Sequence, residues 1–434
     1  MPIDVSTLDP SAAHTDEATE AEPTGPRAKP LVPGSVVAKA LAAIWAGAPL
    51  TIVDAPPGSG KTASVVDIVA HLTENAGLRV LVEVVTRNQG VALAHRLVEQ
   101  IAPAHVEVGI KNVAPGSLPA GLYSGLRGST VKKSRVTVRT VASCGLSMPT
   151  GFDVVVVDEA YQATYAGVFL ATVGVPQVVC VGDPGQIGPV ITVDTSIWES
   201  MSEPPHRPAP EVLAAADCAS RYSLETSWRL GPKSAAAIAP LYNFAFASGC
   251  VPRRLVGAGD ANRGRTYGEI ESITVPDTDA PDDLGVLGRV ASRVDELLAT
   301  RLYWPDPDDP GVEATRHTAT RDIAVVVSRN SQVSIVSGML AERGLDGVTV
   351  GTADRLQGAE FPIVIALDPA LGSDGSSGHA MSNGRLCVMA SRHTTHLSWI
   401  HDSLWTKALV GRSVTAVRGR AVRKALTSYA IGEM

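Results

Sequence analysis

The chain has 434 residues, 45% of them hydrophobic, which is enough for more than one packed core and argues against a disordered protein. A net charge of −7 does not exclude a nucleic-acid partner, because charges are screened beyond ~8 Å and local charge along a groove decides binding. Aromatic residues at 4% do argue against binding dominated by base stacking. The five cysteines are scattered without a C-x-x-C pair, so they read as reduced core thiols with no zinc site. No apolar run approaches the ~18 residues of a membrane span, and no basic-then-apolar signal pattern opens the chain, so the expectation is a cytoplasmic protein with no membrane partner.

Residues 1–30 are rich in Pro, Ala, Thr and acids and read as a disordered tail. Val36, Ala38, Leu41 and Ile44 follow a helical period, and Ser35 can cap that helix. Leu50 to Val53 reads as a strand and Ala63 to Leu72 as a helix. Strands are then expected at Val80–Val85, Val136–Val141, Val154–Val157 and Val178–Val181, with a helix over Val91–Ile101. Short apolar strands alternating with helices predict a parallel sheet covered on both faces. The pattern restarts after Ser223, with helices near 232–247 and 284–301 and strands at Ile323–Val327, Val348–Gly351 and Ile363–Leu367. An apolar segment follows at Leu397–Ile400. Pro- and Asp-rich stretches at 276–283 and 304–311 read as surface loops.

Two sites carry the chemistry. Residues 55–62, Ala-Pro-Pro-Gly-Ser-Gly-Lys-Thr, fit a phosphate-binding loop between strand and helix, with Ala55 where the usual pattern has Gly. Pro57, Gly58, Ser59, Gly60, Lys61 and Thr62 would surround the phosphates with backbone N–H groups and a lysine charge. Residues 158–162, Asp-Glu-Ala-Tyr-Gln, end a buried strand. Thr62 and Asp158 suit a Mg²⁺ shell, and Glu159 can orient a water. The pair predicts hydrolysis of ATP or a related nucleotide.

Further motifs follow in one order: Thr86 to Gly90, then VVCVGDPGQIGP over Val178–Pro189, LETSWR over Leu224–Arg229, VGTADRLQGAE over Val350–Glu360, and NGRLCVMASR over Asn383–Arg392. This series resembles superfamily 1 helicases, in particular the DEAxQ group related to the nonsense-mediated-decay RNA helicase. The resemblance spans roughly residues 35–400. It implies two tandem RecA-like P-loop NTPase domains (31–222 and 223–400), followed by a basic tail or helix over 401–434, with ATP and Mg²⁺ between the domains. It further implies that Gln186 senses the γ-phosphate and that Arg229 and Arg392 act as arginine fingers. Gln357, Gly358 and Glu360 would couple the second domain to the nucleotide, and Gln332 matches a family glutamine there. Asn88, Ser143, Thr352 and Asp354 would lie along the nucleic-acid channel. The implied function is translocation on single-stranded DNA or RNA, 5′ to 3′ by resemblance.

The chain also departs from the family. No glutamine stands upstream of the phosphate loop, where Ser35-Val36-Val37-Ala38 occurs, so strictness for ATP stays open. Gly188 replaces a frequent proline, Arg87 stands where Ser or Thr is usual, and accessory domains are expected to be reduced or absent. Trp198 and Trp228 read as core residues, and His393 and His396 as solvated or capping residues. Arg412, Arg418, Arg420, Arg423 and Lys424, like Lys132, Lys133 and Arg135, read as a solvated face or a phosphate patch. An alternative function is a nucleotide-switched interaction module with little unwinding. A small-molecule kinase would explain the phosphate loop but not the later motifs. Protein partners and oligomeric state are not legible.

Overall fold

The computed structural model describes residues 28–122, 134–147, 149–216, 218–306, 309, 311–372, 378, 381–408, 411 and 413–433. Lys132, Lys133, Arg412 and residues 1–27 of the expected tail lie outside the described residues. Of the last three tail residues, Lys29 is held in place: Gln100 accepts from its amide at 2.9 Å, and His71 Nε2 donates to its carbonyl at 2.8 Å.

The first half builds strands β1 (Leu50–Asp54), β2 (Val80–Val84), β3 (Val106–Val108), β4 (Val136–Thr140), β5 (Val154–Asp158), β6 (Gln177–Gly182) and β7 (Ala219–Ser223). They form one seven-stranded sheet in the order β3-β4-β2-β5-β6-β1-β7, and every pairing is parallel. Helices α1 (Val36–Trp45), α2 (Lys61–Ala70), α3 (Arg87–Leu97), α4 (Val141–Leu146), α5 (Tyr165–Thr172) and α6 (Ala209–Leu213) connect and cover it. The central strands are buried on both faces, which is why they read as short runs dominated by valine, leucine and isoleucine. Ser35 caps α1 as expected, accepting from the Ala38 amide at 3.2 Å.

The second half contains β8 (Thr226–Ser227), β9 (Ala247–Ser248), β10 (Arg254–Gly257), β11 (Thr266–Tyr267), β12 (Ile270–Thr274), β13 (Thr300–Pro305), β14 (Glu313–His317), β15 (Ile323–Val327), β16 (Thr349–Thr352), β17 (Phe361–Leu367), β18 (His393–His401) and β19 (Ala430–Glu433). Its helices are α7 (Pro232–Ile238), α8 (Leu284–Leu298), α9 (Asn330–Ala341), α10 (Asn383–Ala390), α11 (Trp405–Ala408) and α12 (Val414–Thr427). Six strands form a second parallel sheet, β16-β15-β17-β18-β12-β19. The fold is therefore two tandem RecA-like α/β units. Among the described residues, no helix is long and apolar enough to cross a membrane.

Three readings are corrected here. Residues 300–301, expected as the end of a helix, and 304–305, expected as the start of a surface loop, belong to strand β13, which with 313–317 forms part of a separate four-stranded antiparallel sheet, β11-β10-β13-β14, so the second unit carries an addition that the apolar pattern missed. Its strands are polar and half-exposed (β14 reads Glu-Ala-Thr-Arg-His), which hides them from an apolar pattern search. Of the two alternatives for 401–434, tail or helix, the segment contains the helix α12. The α12 helix packs with Val422 and Leu426 in the second core, and β19 extends the second sheet. Arg423 is buried there, and its Nε donates to both oxygens of Asp368 at 2.9 and 2.8 Å.

Candidate active site

Strand β1 delivers a turn, and the turn delivers a helix N-terminus. Gly60, with a left-handed backbone, starts α2 without any side-chain cap, so the first amides of that helix remain free for an anion. Ser59 tightens the loop by donating from Oγ to the Pro56 carbonyl at 2.8 Å. Lys61 Nζ lies 3.7 Å from Glu159 and 3.6 Å from Asp183. At the end of β5, Asp158 accepts from the Glu159 amide at 2.9 Å. Glu159 itself has φ +53, a left-handed conformation that costs energy for any residue with a Cβ and is characteristic of functional sites. Tyr161 of the same motif serves the scaffold, donating its hydroxyl to buried Asp54 of β1 at 2.7 Å.

Burial, and then the neighbouring Glu159 charge, push the Asp158 carboxyl up to about 7. Asp158 and Thr62 together present hard oxygens, the donor type suited to Mg²⁺, which commonly takes one or two protein ligands beside phosphate and water. Among the described residues, no three His, Cys, Asp or Glu side chains gather as an all-protein metal cage.

The second unit reaches into the same cleft. Ser227 donates to the Pro57 carbonyl at 2.7 Å, and the Trp228 amide donates to the Gly58 carbonyl at 2.9 Å. A Cβ on Gly58 would stand 2.3 Å from the Arg229 Cβ, so this approach needs glycine. Arg229 pairs with Glu360 and donates to the Ser391 carbonyl at 3.2 Å. Arg392 is 1% exposed; it donates to the Ala359 carbonyl at 3.4 Å and the Ser391 hydroxyl at 3.3 Å, and its Nε has no partner. Burial and the nearby Arg229 charge lower its pKa to about 10. The result is a cleft of about 480 Å³ lined by Lys61, Thr62, Asp158, Glu159, Gln186, Arg229, Gly358, Glu360 and Arg392.

Gln186 donates to Asp183 at 2.6 Å and accepts from Gln357 at 3.4 Å, so residues of the two sheets meet beside Lys61. The residues expected along a nucleic-acid channel fall elsewhere. Asn88 is exposed in the first turn of α3, and Ser143 stands in the first turn of α4, where Arg139 donates to it. Thr352 accepts from the Arg355 amide at 3.3 Å, and Asp354 pairs with Arg385 at 3.2 Å. All four lie at or just beyond the carboxyl ends of parallel strands: Thr352 ends β16, and Asn88, Ser143 and Asp354 follow β2, β4 and β16. Gln332 is buried as an internal cap: it accepts from the Ser328 and Arg329 amides and donates to the Pro281 carbonyl at 2.8 Å.

Several residues escaped the sequence reading. Asp183 sits inside the quoted GDPGQ motif, and its position at the end of a buried strand was the available signal. Gln89 and Arg96 of α3, and Arg253 and Thr394 of the second unit, also line the cleft. Trp228 is 63% exposed rather than core, and its backbone amide donates to the Gly58 carbonyl. It walls both the cleft and an adjoining cavity of about 600 Å³ lined by Ser35, Lys39, Tyr222 and Glu225. His393 and His396 are buried rather than solvated: His393 bonds Ser234, and His396 bonds the Gly268 carbonyl.

Residues 122–207 match the viral superfamily 1 RNA helicase core domain. That stretch holds Asp158, Glu159, Asp183 and Gln186. No curated protein matches the chain. Among solved structures, arterivirus nonstructural protein 10 (helicase) is similar at 18% identity over 85% of this chain and 63% of its own, with a TM-score of 0.46. A structure of the same arterivirus helicase with DNA matches at 18% identity over 87% and 67%, TM-score 0.46. The PRRSV helicase matches at 15% identity over 84% and 54%, TM-score 0.44. The chain thus spans under two thirds of the length of the chain in two of these three structures.

Proposed function

We propose that the chain is a nucleic-acid-dependent nucleoside triphosphatase of the helicase type, which hydrolyses ATP and uses the cycle to move along single-stranded DNA or RNA. The observation that carries this reading is the cleft, where Lys61, Asp158 and Glu159 of one sheet face Arg229 and Arg392 of the other. A nucleotide-switched scaffold has no need for such a complete set. In this reading the α2 amides and Lys61 hold the β- and γ-phosphates. Glu159 orients and deprotonates the attacking water. Arg229 and Arg392 meet charge that spreads over the phosphoryl oxygens in the transition state. Thr62 and Asp158 would hold Mg²⁺, which when bound neutralises charge on the phosphates.

The base would lie in the adjoining cavity against the exposed Trp228 face. Nucleic acid would run along the carboxyl ends of the strands, past Asn88, Ser143, Thr352 and Asp354, and opening and closing of the cleft would shift the two units along it. The test is triphosphate turnover without polymer, with ssDNA and with ssRNA, at several salt concentrations. Turnover should rise with one polymer and the rise should weaken with salt, because phosphate contacts release counterions. Turnover that neither polymer raises at low salt would favour the interaction module.

A further inference from the structure

Asp183 divides its two oxygens. Oδ2 accepts from Gln186 at 2.6 Å and lies 3.6 Å from Lys61, so it faces the cleft. Oδ1 accepts from the Gly185 amide and from the Tyr242 hydroxyl, each at 2.9 Å. Asp183 belongs to the first unit, whereas the Tyr242 ring is built into the second core with Leu230, Leu241 and Cys387. Phe244 and Phe246 meet that ring edge-on, with centroids 5.4 and 5.1 Å away. The approach is close enough that a Cβ on Gly185 would stand 2.5 Å from the Tyr242 hydroxyl. Burial raises the hydroxyl's pKa, so it keeps its proton and remains a donor. From the other side, the first turn of α10 packs on the backbone of Gln186 and Ile187.

We propose that Tyr242 is a positioning residue that couples closure of the two units to the placement of Gln186 and Lys61, acting through Asp183. The proposal rests on the reading of the cleft as a site of triphosphate hydrolysis. The hydroxyl bonds Oδ1 across the two units, so parting them would break the contact. Fixing one carboxylate oxygen fixes the direction of the other, and with it the amide of Gln186. When the units part, Asp183 loses this anchor and its hold on the cleft side is free to turn. The contact would thus make hydrolysis depend on closure.

The test compares wild type, Tyr242→Phe and Phe246→Leu in steady-state ATP turnover with and without single-stranded polymer, beside thermal melts and binding of a fluorescent ATP analogue. Tyr242→Phe keeps the ring packing and removes only the hydroxyl. It should lower kcat about tenfold, the worth of one hydrogen bond to a charged group, with KM and analogue affinity within about twofold. Phe246→Leu thins the same aromatic cluster and keeps the hydroxyl; it should lower Tm and leave kcat near wild type. Unchanged kcat in Tyr242→Phe would overturn the proposal. So would an equal loss of kcat in both variants that follows Tm, which would make Tyr242 structural. Wild-type protein that binds no nucleotide and shows no turnover would overturn the reading of the cleft, and this proposal with it.

Discussion

Arg392→Met should trade activity for stability. The guanidinium is buried, its two hydrogen bonds are long, and among the described residues no carboxylate lies within ion-pair distance. Burial, followed by repulsion from Arg229, lowers its pKa from 12.5 to about 10. That fall corresponds to about 3 kcal/mol by which the free cleft disfavours the charged side chain at neutral pH. Methionine matches much of the length and carries no charge, so it should recover part of this figure in the ligand-free protein. The same charge should stabilise the transition state, so turnover should drop about a thousandfold while nucleotide KM changes little. Denaturant unfolding at neutral pH, without nucleotide and then with a non-hydrolysable analogue, gives the stability side. The variant should start above wild type and gain nearly as much from the analogue, because its affinity changes little. A variant that unfolds several kcal/mol earlier, or one that turns over within a few-fold of wild type, would refute the reasoning.

Glu159→Gln should bind nucleotide and fail to hydrolyse it in single-turnover assays, because the amide cannot take the proton while Asp158 is untouched. Glu83→Gln should flatten the pH dependence of stability. Burial pushes the Glu83 carboxyl from 4.5 to about 8, so its favourable neutral form is complete below 4.5 and is lost as pH rises toward 8. Wild type should lose about 2 kcal/mol between pH 6 and 8 from this group, and the variant should not; equal slopes in denaturant melts would refute it. Arg423→Met should destabilise the second unit by roughly 3–5 kcal/mol, because it leaves Asp368 buried without its cation. Differential scanning calorimetry reads that loss, and Arg423→Met with Asp368→Leu should recover much of it.

What the sequence discloses depends on where the partners lie. The phosphate loop and Asp158-Glu159 are legible because each short polar group follows a strand whose neighbours are buried valines and isoleucines. The expected strand at Ile323–Val327 is buried throughout for the same reason. Strand β12, Ile-Glu-Ser-Ile-Thr, is buried over its first four residues, yet its broken apolar run gives no strand expectation. Its Glu271 is satisfied by Arg293 and Arg265, and its Ser272 donates to Nε2 of His401, whose Nδ1 donates to the Asp402 carbonyl, far along the chain. The histidines mislead in the same way: His393 and His396 are driven down to about 3 by burial and sit neutral inside the second unit. A polar residue looks exposed until its distant partner is known. The same limit governs the cleft. Each motif names one side of it, but what makes Lys61, Gln186 and Arg392 a single site is contact between units: Ser227 on Pro57, Trp228 on Gly58, Gln357 on Gln186 and Tyr242 on Asp183. Of these, only Gln357 and Gln186 carried a motif signal for coupling. Tyr242 carried none, because its ring obeys the ordinary pattern of a core residue and only its hydroxyl crosses to the other unit.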